Sequence, residues 1–145
     1  MLALSLAGVP LLIMIKSIYA KSMLIWLGII PLAILNGVLR EAVLIPALGS
    51  MALPVSGIIL SALALLLTYI FIRSLGKNER TAYVKMGFLW ISATIIFEFS
   101  LGITIGESLE SMLAAYNIFT GNLWSFVIVV IGLSPWLTAK ARKII

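Results

Sequence analysis

Few side chains in this sequence can do chemistry. Its 145 residues contain no Cys, His, Asp or Gln. Disulfides, thiolate or imidazole metal sites, His-held haem and every nucleophile–histidine dyad are thereby excluded. An aspartyl intramembrane protease falls with them, and no metal or cofactor is expected. Of the five Glu, Glu79 sits in the basic stretch RSLGKNERT (73–81). Proton chemistry is left to Glu41, Glu98, Glu107 and Glu110, to Lys or Tyr, or to water. Two segments set polar groups inside long apolar runs: LNGVLRE (35–41) carries Asn36, Arg40 and Glu41, and FEFSLG (97–102) carries Glu98. A third, ESLESMLAAYNIFTGNLW (107–124), adds Tyr116, Asn117, Asn122 and Trp124.

The elements that must position these groups are membrane helices. The chain is 63% hydrophobic and 10% charged, with a mean hydropathy of +1.23. Soluble domains are about 25% charged, so this composition suits lipid and has too little polar surface for water. The expected fold is all-α: a single bundle of five transmembrane helices, or four if the first is discounted, plus one short interfacial helix. The spans are read at about 1–20, 23–48, 53–72, 83–103 and 123–139, and the interfacial helix at about 106–120. The first run, Met1–Ile15, is short, and Lys16 snorkelling to the interface lets it reach across. It lacks the leading basic residue and the polar region after a cleavage site that a cleaved signal peptide would show. Pro31 should kink the second span, Gly57 and Ser61 form a small-residue packing face, and Trp26, Trp90, Trp124 and Trp136 fall near span ends as interfacial anchors.

Charge orients the molecule. Apart from Arg40, every Lys and Arg falls after span one, around the loop between spans three and four, or after span five. With five spans these are all on one side, which the positive-inside rule makes cytoplasmic. The N-terminus is then outside, the C-terminus inside, and the location the inner (plasma) membrane of a prokaryote. The net charge of +5 is explained by topology, and no basic stripe interleaved with aromatics points to nucleic acid. Arg40 lies 17 residues after Met23 and Glu98 15 residues after Tyr83, or ~25 Å and ~22 Å along straight helices. At such similar depths, each is the expected partner of the other. Asn36 shares the Arg40 face, whereas Glu41 points elsewhere and looks to Tyr116, Asn117, Asn122 or water. Asn36, Arg40, Glu41 and Glu98 would floor an outward-opening polar cluster, with 107–122 and Trp124 as its roof.

Taken together, the three segments resemble a family of small multi-spanning bacterial inner-membrane proteins, one to which no activity is assigned. In that family N-G-x-x-R-E, F-E-F-x-x-G and Y-N-x-x-x-G-x-x-W recur in this order. The resemblance covers roughly 23–139 and implies Asn36, Gly37, Arg40, Glu41, Glu98, Tyr116, Asn117, Gly121 and Trp124 as matched positions. This chain departs from the pattern at Ile103, Ala115 and Asn122, where a His, an acid and an Arg are common.

Three functions follow as expectations. The first is a non-catalytic accessory or assembly subunit of a larger membrane complex, partnered by the bilayer and by other subunits or copies of itself. It is suggested by small size, minimal loops and missing redox ligands. The second is a small homo-oligomeric transporter using the Arg40/Glu98 cluster. The third is a lipid-modifying enzyme with Glu41 or Glu98 as base and Arg40 as phosphate clamp. The first implies no enzyme activity.

Overall fold

Residues 17–120 and 122–145 are described by a computed structural model of the chain. They are helical with no strand: α1 is Ile18–Leu39, α2 Ile45–Leu48, α3 Ala52–Phe71, α4 Arg80–Thr104, α5 Leu109–Ala114 and α6 Trp124–Ala141. Three helical stretches are long and apolar enough to cross a membrane: Ile18–Leu75, Arg80–Thr104 and Trp124–Ala141. The first is 58 residues long and folds back on itself, so that α1 and α3 pack side by side. The reversal is at Gly49, whose φ of +59° is strained for any residue with a Cβ. The expected first span lies almost wholly on 1–16, outside the described residues.

The second apolar run differs most from its expected form. Its helix begins earlier, at Ile18, passes through Pro31, and widens at Arg40–Leu44 into a π-turn. Pro46 explains the widening. It lacks an N–H and its ring crowds the carbonyl four residues back, and the Ile45 N–H bonds the Arg40 carbonyl five residues back.

The segment expected as a helix over 106–120 is helical only at Leu109–Ala114, followed by a 3-10 turn at Ile118–Thr120. Ser108 caps the start, its hydroxyl accepting from the Ser111 N–H at 3.1 Å. Asn117, past the helix end, accepts the Phe119 N–H on its own side chain at 3.1 Å, a local bond that competes with the helical ladder.

Helix α6 is central, packing on α4 and α3. A Cβ on Gly87 would run into the Gly132 carbonyl oxygen, so α4 and α6 cross backbone to backbone, as close-packed membrane helices do. Near the other end, a Cβ on Gly57 would come within 2.7 Å of the Leu123 Cβ, which brings α6 onto α3. The core lies toward the end where Leu75, Arg80 and Arg142 gather, and is built from Ile25, Trp26, Leu60, Tyr83, Met86, Trp90 and Ile131. There Arg142 donates to the Tyr69 carbonyl at 2.7 Å and lies over its ring. We call this the basic end.

Two of the four Trp are not anchors. Trp26 and Trp90 are 7% and 0% exposed, because each indole N–H finds a hydroxyl inside the bundle: Thr94 at 2.9 Å and Ser22 at 3.3 Å. These bonds also join α1 to α4.

Candidate binding cavity

Beyond Trp26 and Thr94, α1 and α4 part around a cavity of about 360 Å³. Its deep wall is apolar, with Ile29, Ala33, Leu60, Val127 and Ile131. Its polar rim comes from four elements: Asn36 and Arg40 from the α1 end, Ser56 from α3, Glu98 from α4, and Asn122 and Trp124 at the start of α6.

Most buried polar groups in this bundle are closed locally. The hydroxyls of Thr68, Thr94, Ser134 and Thr138 each donate to the carbonyl four residues back, which satisfies them without water. Asn36 is different. It is 4% exposed, its Oδ1 accepts from the Ser56 hydroxyl at 2.6 Å, and its Nδ2 has no partner. Among the described residues it is the one buried side-chain polar atom so placed. A buried unsatisfied amide costs about 1–3 kcal/mol.

Glu98 is held by two neutral donors on one oxygen. The Tyr116 hydroxyl and the Trp124 indole N–H both donate to its Oε2 at 2.6 Å. The Tyr116 ring stacks on Phe99, and its carbonyl accepts from Ser125, so Glu98 ties the segment between α4 and α6 over the cavity. Burial, then the bond to Glu98, pushes the Tyr116 phenol up to about 12, which keeps it a donor.

The expected Arg40–Glu98 pair is not formed. Arg40 turns to its neighbour, Nε to Glu41 Oε1 at 3.5 Å. The π-turn is the local reason: the pair sits at its first two positions, at the chain's exit from α1. Glu41 is therefore partnered by Arg40 rather than by Tyr116, Asn117 or Asn122. It is 67% exposed and does not line the cavity. Asn117 is also exposed, and Asn122 caps α6 by accepting the Trp124 N–H at 3.0 Å. The structure thus brings Asn36, Arg40, Glu98, Asn122 and Trp124 to one cavity, with Tyr116 behind Glu98. It leaves Glu41 and Asn117 outside. Sequence reasoning missed Ser56, Trp26 and Thr94. The spacing of four between Ala52, Ser56 and Leu60 on an apolar helix was the available signal for the first.

Among the described residues no three acidic, His or Cys side chains gather as a metal site would need. Compared with family models, curated proteins and solved structures, the chain matches none.

Proposed function

We propose that the chain is a multi-pass protein of a prokaryotic inner membrane that binds a small amphipathic molecule in this cavity and works as a small transporter. The observation that carries the reading is the make-up of the cavity, an apolar wall rimmed by Asn36, Arg40, Ser56 and Glu98, which suits a ligand with a polar group beside an apolar body. In this reading α1, α3, α4 and α6 each cross once. The basic end faces the cytoplasm, so the cavity opens toward the outer leaflet. The core between Trp26 and Tyr83 closes the inner half, the form of an outward-facing binding state. Glu98 has an oxygen, Oε1, left over from its ties to Tyr116 and Trp124, and this gives an acidic group to couple to the ligand.

The competing role is an accessory subunit, in which a partner's side chain fills the same cavity. Native mass spectrometry of protein extracted in mild detergent from its own membrane separates the two. The transporter reading expects a small-molecule adduct that is lost in Ala33→Trp, which fills the cavity. Co-purification with larger subunits at fixed ratio, with no small adduct, overturns it in favour of the accessory role.

A further inference from the structure

We infer that the molecule taken up in this cavity is a lipophilic cation whose charge is set against Glu98. The inference rests on the binding reading above and names its ligand class. Two charged side chains line the cavity, Arg40 and Glu98. Arg40 is turned to Glu41 at the mouth, and that pair is neutral in sum. Glu98 meets only the neutral donors Tyr116 and Trp124, both on Oε2. Among the described residues no cation pairs with it.

Glu98 thus faces the apolar wall with no paired cation among the described residues. An ion so placed in a membrane needs a countercharge or a proton. The surroundings favour an organic cation over a hydrated metal ion. The wall is lipid-like, no metal-ligand cluster is present among the described residues, and Trp26, Phe97 and Trp124 line the same space. Aromatic faces attract cations most strongly where water is excluded.

Tetraphenylphosphonium and tetraphenylborate test this directly, because they share shape and apolar surface and differ in the sign of charge. Binding to the full chain in neutral detergent is measured by equilibrium dialysis. Saturable binding of the phosphonium, with the borate weaker by roughly tenfold or more, is expected. Glu98→Gln, which keeps the shape and an acceptor oxygen, should weaken the phosphonium by a similar factor. Equal or tighter binding of the borate overturns the inference, as does unchanged phosphonium binding in Glu98→Gln. The comparison of the two ions on the unaltered protein holds even where a variant does not fold. Absence of phosphonium binding beside a neutral or anionic native adduct refutes the cation and leaves the binding cavity standing. Absence of any adduct or ion binding, with Ala33→Trp indistinguishable from the unaltered chain, refutes both.

Discussion

Replacing Asn36 by Leu should make the ligand-free protein more stable while removing its ability to bind. The substitution has three consequences in the structure. It deletes the bond from the Ser56 hydroxyl to Asn36 Oδ1, worth about 1 kcal/mol and often nearer 0.6 kcal/mol between membrane helices. Part of that returns, since Ser56 lies within α3 and can donate to the Ala52 carbonyl four residues back, as Thr68 and Thr94 do to theirs. It also removes a buried Nδ2 with no partner, relieving about 1–3 kcal/mol. The extra bulk of Leu enters the adjoining cavity, so overpacking adds little. The sum is a gain of about 1 kcal/mol. Reversible unfolding of delipidated protein in mixed micelles, titrated with a denaturing detergent, reads this difference. A loss of more than about 1 kcal/mol would show that the Asn36 amide is satisfied in the resting protein and works as a strut. Native mass spectrometry of the same variant from its own membrane should show the adduct gone.

Three further outcomes check the geometry. Arg40→Ala should change stability by less than about 1 kcal/mol, as expected for an ion pair with a two-thirds exposed partner; a loss of 3–5 kcal/mol in the unfolding assay, typical of breaking a buried pair, would restore the Arg40–Glu98 pairing. Gly87→Ala should cost roughly 1–3 kcal/mol or more, since the new Cβ meets the Gly132 backbone and neither helix can yield by a side-chain rotation; an unchanged midpoint would refute the backbone crossing of α4 and α6. Tyr116 should ionise near 12 rather than at its ordinary 10.0, so absorbance at 295 nm of the unaltered protein minus Tyr116→Phe should show one phenol titrating late. A folded-state value above the unfolded one means that the contribution is complete below pH ~10 and is lost as pH rises toward ~12. A difference step at the ordinary position would contradict the Glu98–Tyr116 bond.

What was legible in the sequence follows from how each feature is encoded. Apolar runs bounded by basic stretches are one-dimensional, and the helices Ala52–Phe71, Arg80–Thr104 and Trp124–Ala141 lie on such runs because lipid leaves the backbone no other way to satisfy itself. The depths of Asn36, Arg40 and Glu98 are also one-dimensional, being a rise per residue, and these three do meet at one cavity. Pairing is not encoded this way. Whether Arg40 turns to Glu98 or to Glu41 depends on a π-turn brought about by Pro46, and a straight-helix projection contains no such turn. The buried positions of Trp26 and Trp90 depend on Ser22 and Thr94 facing them across the bundle, which no spacing within one helix reveals. Gly87 and Gly132 are ordinary glycines until the register of α4 against α6 is known.

The cavity itself is a consequence of where the close approaches fall. At the basic half, Gly87 and Gly132 bring α4 onto α6 and the two indole–hydroxyl bonds bring α1 onto α4, so the four long helices close around Trp90 and Met86. At the other half, Gly57 lets α6 approach α3 through Leu123, and among the described residues no glycine contact draws α1 toward α4; the two meet there at the Trp26–Phe97 edge contact. Arg40 and Glu98 face that gap from opposite sides, and each has taken a partner on its own side: Glu41 for one, Tyr116 and Trp124 for the other. An ion pair across the gap would have closed it and satisfied both charges at once. In its place stand an amide with no partner, a carboxylate with one oxygen to spare and an apolar wall behind them, in a bundle where buried hydroxyls and indoles elsewhere are bonded. Structural polar groups in hydrocarbon tend to be self-contained. The proposed binding role rests on this contrast within one molecule.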